Sequence, residues 1–245
     1  MSREKTGGIN AVSAMLKQHP ERIIQLWAQN GNARIDALVE SARTAGVPVQ
    51  TANANALDRL VAGDHHQGVV AEFQPLPNKN EQDLDSIIDA AGPAALLVAL
   101  DQVQDPHNLG ACLRSAAAVG ADAVLIPRDR AAGLTPAARR AAAGAAEMIP
   151  LIEVANLSRA LQHIASLGVW CVGLDGEAEQ SIHQVDLTGP IALVMGGEEQ
   201  GLRRLTRERC DLLARIPMSG VMESLNVSVA TGIALVETLR QRGEQ

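Results

Sequence analysis

Ala94-Ala95-Leu96-Leu97-Val98-Ala99-Leu100, followed after a short polar loop by Asp105-Pro106-His107-Asn108-Leu109-Gly110-Ala111-Cys112-Leu113-Arg114-Ser115, decides the fold. The first run is continuously apolar and has the length of a strand. The second opens on turn residues and passes into a helical pattern rich in alanine and leucine. A strand with no polar alternation is one covered on both faces, and a strand feeding a helix is a βα unit.

The same alternation runs on to the C-terminus. It predicts strands at 95–100, 122–127, 149–154, 169–174, 191–195 and 213–217, and helices at 109–119, 136–146, 157–167, 203–211 and 226–241. Apolar strands separated by helices imply an α/β domain with a parallel or mostly parallel sheet. Toward the N-terminus, Leu84, Ile87, Ile88 and Ala91 have helical spacing, and Gly92-Pro93 ends that helix. The proline- and asparagine-rich segment 74–80 reads as a linker. Before it lies a small α/β unit. Ile9, Val12, Met15 and Leu16 mark a helix, Ile23–Trp27 a strand, Arg34–Ala45 a helix closed by Gly46, and Val47–Gln50 and Gly68–Phe73 further strands, with Leu57 and Leu60 on a short helix between them. The expected division is 1–74, a linker with a short helix at 75–93, and a larger domain at 94–245.

Composition narrows the function. The 245 residues are 47% hydrophobic and 20% charged, as in globular proteins, which excludes disorder. No apolar run approaches the roughly 18 residues of a membrane span, and Met1-Ser2-Arg3-Glu4-Lys5 has no apolar stretch behind it. No membrane partner and no secretory signal are expected. Cys112, Cys171 and Cys210 are odd in number and scattered, which fits neither a disulfide framework nor a CxxC metal site and points to a reducing cytoplasm. The six histidines form no ligand pattern, so no metal is expected. The net charge of −7 argues against coating nucleic acid by bulk electrostatics, yet every basic residue beyond Leu96 is an arginine, the side chain suited to bidentate phosphate contacts. With only Trp27, Trp170 and Phe73 as aromatics, base stacking on an aromatic platform is not expected.

In an open α/β sheet, ligands bind beyond the carboxyl ends of strands. Three such ends carry unusual residues. After the strand ending near Leu100, Asn108 can cap a helix or serve chemistry, and Arg114, set among Leu113 and Ala116–Ala118, needs an anion, either a carboxylate or a ligand phosphate. After Ile191–Met195 comes Gly196-Gly197-Glu198-Glu199-Gln200-Gly201, whose glycines allow close backbone approach to a ligand. It is neither a P-loop nor GxGxxG. After the last strand, Ile216-Pro217-Met218 leads to Ser224-Leu225-Asn226, where Ser224 and Asn226 are both candidate helix caps. Val227, Ala230, Thr231 and Ala234 then line a face small enough for close packing or a subunit interface.

Taken together, Asn108–Ser115, Val194–Glu198 and Ile216–Met218 with Ser224–Ala230 resemble motifs 1, 2 and 3 of the SpoU (TrmH-type) branch of the SPOUT RNA methyltransferases. Gly7–Val12 and His65–Val69 resemble the N-terminal RNA substrate-binding domain of the subgroup that methylates a guanosine 2′-oxygen in 23S rRNA. The resemblance implies a deep C-terminal trefoil knot that binds S-adenosylmethionine as methyl donor, a homodimer whose site is completed across the interface, and large-subunit rRNA as partner. It places Arg114, Asn226, Glu198, Asn108 and Ser224 in catalysis, and Gly196, Ile216, Leu225 and Met218 at the cofactor. One departure stands out. The family's motif 2 often reads GxEGxG, and here Glu199 replaces the second glycine, so a loop needing positive φ at that point must be arranged differently. A tRNA 2′-O-methyltransferase and a non-catalytic RNA-binding assembly factor are the alternatives. The first usually lacks the N-terminal domain, and the second predicts loss of Arg114 or Asn226, both present.

Overall fold

The computed structural model describes residues 3–61, 65–75, 79–198 and 200–243. Contacts divide the chain into two compact units, Met1–Pro77 with Ala143–Met148, and Asn78–Ala142 with Ile149–Gln245.

The first unit contains β1 (Glu4–Gly7), α1 (Ile9–Gln18), β2 (Ile23–Ala28), α2 (Ala33–Thr44), β3 (Val49–Thr51), α3 (Ala54–Leu60) and β4 (Val69–Phe73). Its sheet has the order β1-β4-β2-β3, with only β2 and β3 parallel. Val12, Met15, Leu26, Ile35, Leu38 and Phe73 form its main core, and Leu57, Val61 and Val70 a smaller one. β1 was not expected. Glu-Lys-Thr-Gly carries no apolar signal, and it becomes a strand only by pairing antiparallel with β4.

The second unit runs α4 (Leu84–Ala91), β5 (Leu96–Asp101), α5 (Pro106–Ala118), β6 (Ala123–Pro127), α6 (Pro136–Ala142), β7 (Leu151–Val154), α7 (Leu157–Ser166), β8 (Trp170–Leu174), β9 (Gln180–Ser181), β10 (Ile191–Gly196), α8 (Arg204–Arg207), β11 (Leu212–Arg215) and α9 (Val227–Gln241). Its seven strands have the order β7-β6-β5-β10-β8-β11-β9, and every pairing is parallel. This is the α/β architecture expected from the apolar runs. All six residues of β5 and all five of β6 are buried. Leu84 and Ile88 of α4 join Leu97, Leu125, Ile152 and Leu161 in one core.

Three helices differ from expectation. α5 begins three residues early, because Asp105 rather than Asn108 is its cap: the Asp105 carboxylate accepts from His107 N at 2.9 Å, and Pro106 occupies the first turn. α6 stops at Ala142, where Ala143 and Gly144 take left-handed backbone conformations. The helix expected over 203–211 is the single turn α8. Beyond it Asp211 is drawn into the sheet, its carboxylate accepting from Cys171 N at 2.8 Å while its own N–H donates to Cys171 O. The two-residue strand β9 is too short to carry a sequence signal.

Close helix packing around the site depends on small residues. A Cβ at Gly110 of α5 would lie 2.4 Å from Ala138 O and 2.5 Å from Ala141 Cβ of α6. On its other side α5 meets α9, where Thr231 Oγ1 lies 3.4 Å from Cys112 Sγ. The end of α9 is anchored by main-chain carbonyls: Gln241 donates to Val185 O, and Arg242 donates to Leu187 O, Gly189 O, Ala94 O and Ala95 O. Gly110→Ala should therefore destabilise the protein by about 1–3 kcal/mol through overpacking. A thermal or urea melt checks it, and an unchanged midpoint would show that α5 and α6 have slack.

Candidate active site

β5 and β10 are neighbours, with Gly196 in register with Asp101. Their carboxyl ends therefore open side by side. After Gly196 the chain folds back on itself: Gly201 N donates to Gly197 O at 2.9 Å, and Gly197 and Gly201 form an isolated antiparallel bridge. A Cβ at Gly196 would lie 2.2 Å from Gly201 C, and one at Gly197 would lie 2.9 Å from Gln102 O. Both positions require glycine by contact. Among the described residues of this loop, Gly201 has positive φ, at 61°. Glu199, whose substitution for a glycine made the loop conformation a question, lies outside the described residues.

The fold-back is pinned by Asp101. Its carboxylate is fully buried, accepts from Arg203 N at 3.0 Å and from Arg203 Nε at 2.6 Å, and lies 2.6 Å from Arg203 Nη2 as an ion pair. Composition and motifs did not single out this pair. An aspartate directly after an apolar run is the one sequence signal that could have found it.

Three candidate residues meet at these strand ends. Asn226 caps α9, its Oδ1 accepting from Ser228 N at 2.9 Å and Ser228 Oγ at 2.6 Å. Its Nδ2 donates to Glu198 Oε1 at 2.6 Å and to Asn108 Oδ1 at 3.0 Å. Asn108 Nδ2 donates to the same Glu198 Oε1 at 2.8 Å. Two amides thus fix one carboxylate oxygen, while Oε2 has no hydrogen-bond partner among the described residues. Capping spends only the oxygen of Asn226, so its amide remains free for Glu198. Cys112, one turn from Asn108, is no nucleophile: burial pushes its thiol up to about 11.

Beside this network lies a pocket of about 380 Å³. Gly196, Ile216, Met218 and Leu225, the four expected cofactor residues, all line it, together with Ser224 and Glu198. The segment Asp175-Gly176-Glu177 after β8 lines it too and was not foreseen, although it is also a strand end. Ser224 is exposed and does not cap α9.

Arg114 stands apart. It is exposed on α5, lines neither the pocket nor the Asn108–Glu198–Asn226 network, and makes no hydrogen bond or ion pair among the described residues. The expectation that it is packed among apolar neighbours is corrected: Leu113 and Ala116 turn inward, and position 114 turns out, with no protein carboxylate paired to it among the described residues. The small face of α9 also resolves. Thr231 and Ala234 are buried within the chain, whereas Val229 and Val236 are exposed.

Comparison with known proteins gives two family matches. Residues 95–236 match the SpoU rRNA methylase family, and residues 7–79 match the RNA 2′-O ribose methyltransferase substrate-binding family. The chain is 49% identical over 241 residues to the 23S rRNA (guanosine-2′-O-)-methyltransferase RlmB of Pseudomonas putida, covering 98% of this chain and 97% of that one. It is 50% identical over 242 residues to the protein of the same name from Haemophilus influenzae, covering 98% of both. Among solved structures, the AdoMet-bound rRNA methyltransferase from Sinorhizobium meliloti aligns with a TM-score of 0.72 at 27% identity, over 97% of this chain and 87% of that one.

The network makes a separable prediction. Asn226→Asp keeps the capping oxygen, removes the amide donors and sets a second carboxylate beside Glu198. Stability should change by less than about 1 kcal/mol, while methyl transfer, the reaction for which the relatives are named, falls about 10²-fold. A melt and a rate measurement check it together. An unchanged rate would reduce Asn226 to a helix cap.

Proposed function

The chain belongs to the SpoU rRNA methylase family, and we infer that it transfers a methyl group from S-adenosylmethionine to the 2′-oxygen of a guanosine ribose in 23S rRNA. The observation that carries this reading is the likeness, at about half identity over nearly the whole length, to proteins named for that activity. The substrate-binding family match over 7–79 supports rRNA as partner, with the first unit docking RNA and the second doing the chemistry.

The pocket chemistry fits the donor. Met195, Leu225, Val227 and Ala230 offer apolar surface, Gly196 offers bare backbone, and Asp175, Glu177, Glu198 and Glu223 offer negative charge for a cationic sulfonium and ammonium. Gly196, Ile216, Leu225 and Met218 would hold it. When bound, S-adenosylmethionine supplies a methyl carbon on positively charged sulfur, to which the 2′-oxygen bonds as the carbon–sulfur bond breaks and the hydroxyl proton leaves. The ribose hydroxyl is a weak acid, so the chain must align it and assist proton loss. Asn226 and Asn108 hold Glu198 by one oxygen, which leaves Oε2 to orient the hydroxyl or its partner. Ser224 completes the hydrogen-bond shell at the pocket rim. A guanidinium such as that of Arg114 is a hydrogen-bond donor and no base. Arg114 grips the phosphate beside the ribose and lowers the hydroxyl pKa, while that phosphate or water takes the proton.

Because Arg114 is exposed and outside the network, we place it in a site completed by a second copy, with α5, Val229 and Val236 at the interface of a homodimer. We place the knot implied by the resemblance in the C-terminal part of the second unit, after β10. No helix among the described residues is long and apolar enough to cross a membrane, and a cytoplasmic enzyme acting on ribosomal RNA is the setting that suits these features.

Mapping 2′-O-methyl sites in rRNA and tRNA, from cells with and without this gene, tests the function. One guanosine of 23S rRNA should lose its methyl group; loss confined to tRNA would transfer the enzyme to the tRNA class. Arg114→Ala should lower the rate by about 10²–10⁴-fold and leave donor affinity by calorimetry unchanged. Turnover near wild type would remove Arg114 from the site.

A further inference from the structure

A second cavity, of about 570 Å³, adjoins the donor pocket and shares Gly197, Glu198 and Val227 with it. Its other walls include Gln102, Asp105, Asn108 and Arg130. Glu198 therefore stands between two spaces, each large enough for a small ligand. The first takes the donor on the reading above, and the second has no assigned occupant.

Arg130 has three properties that call for one. It lies in the loop after β6, and among the described residues it is the sole cation lining this cavity, against the carboxylates of Asp105 and Glu198. Its guanidinium makes no hydrogen bond or ion pair with any described residue. Its backbone is left-handed, with φ 60°, and so is that of Gln102 across the cavity, with φ 62°. Non-glycine residues hold this conformation only where their surroundings impose it, and ligand clamps are a common place for such strain. The imposing contact is present: Ala132 N donates to Val103 O at 2.8 Å, tying the loop after β6 to the loop after β5.

A polyanion entering a cavity walled by two carboxylates is repelled unless a cation meets it. We propose that the second cavity receives the target nucleotide and that Arg130 clamps a phosphate flanking it. This phosphate differs from the one assigned to Arg114, since Arg114 does not line the cavity. The planar guanidinium fork can take two phosphate oxygens at once and so fixes register as well as charge. With the phosphate held at Arg130, the ribose lies against Asn108 and Glu198, on the side where the two cavities meet. The role rests on the methyltransferase reading and adds to it the residue that positions the acceptor.

The test uses the full-length protein with a 23S rRNA transcript. Arg130→Gly removes the side chain and relieves the backbone, so loss of folding does not confuse the result; Arg130→Lys keeps the charge without the fork. Arg130→Gly should raise KM for the transcript about ten- to a hundredfold and change kcat much less. Its slope of log affinity against log salt concentration should be shallower by about 1. S-adenosylmethionine affinity by calorimetry should be unchanged. Arg130→Lys should restore the salt slope and part of the affinity. An unchanged KM and slope would overturn the clamp, and so would a fall in kcat at constant KM. Loss of donor affinity in step with KM would also overturn it, by making Arg130 a packing residue of the loop. A wild-type protein that transfers no methyl group to the transcript would overturn the function itself, and the clamp with it.

Discussion

A carboxylate with no exposure to water, at Asp101, holds the active centre together. It sits at the end of β5 and takes two hydrogen bonds from Arg203, one of them from the main chain, along with an ion-pair contact to Nη2. A buried charge is costly unless paired and fully hydrogen-bonded, so the chain after β10 is obliged to return to β5 and supply Arg203. That return creates the tight Gly197–Gly201 loop, and the loop leaves no room for a side chain at Gly196 or Gly197. Glu198 is carried on the same loop. The position of Glu198 in the candidate site is therefore set by the Asp101–Arg203 ion pair.

From this constraint follows a division of space. The fold-back loop, the 216–226 segment and the strand end at 174–177 enclose one pocket. The loops after β5 and β6 enclose the other. Glu198 borders both and is fixed through one oxygen by Asn108 and Asn226. A transfer reaction needs two substrates brought together in line and separated from bulk water. Two adjoining cavities with a positioned carboxylate between them meet that requirement. The acidic lining of the first suits a cationic donor, and the arginine that is the sole cation of the second among the described residues suits an anionic acceptor.

Much of this was legible in the sequence. The six longer parallel strands of the second unit were readable because most are continuous or nearly continuous apolar runs, which a sheet covered on both faces demands. Asn108, Glu198 and Asn226 were readable as candidates because each falls in a stretch beyond a strand end that resembles a family motif, although Asn108 and Asn226 could equally have been helix caps. Less was legible where pairing alone makes structure. β1 and β9 carry no pattern of their own. The helix expected at 203–211 loses its second half because Asp211 bonds Cys171, forty residues away.

The sequence by itself determined the order of elements, the parallel sheet and the kinds of side chain at each strand end, because burial and periodicity act over a few residues. Only the tertiary structure decided which partner each side chain meets. It made Asp105 the cap and freed Asn108 for Glu198, turned Arg114 outward from the helix where apolar neighbours had suggested burial, and set Arg130 on the wall of the second cavity. Those outcomes depend on contacts between segments up to 118 residues apart, as between Asn108 and Asn226. Such contacts leave no local trace in the sequence, because a hydrogen bond constrains the distance between its two groups and not the residues that separate them.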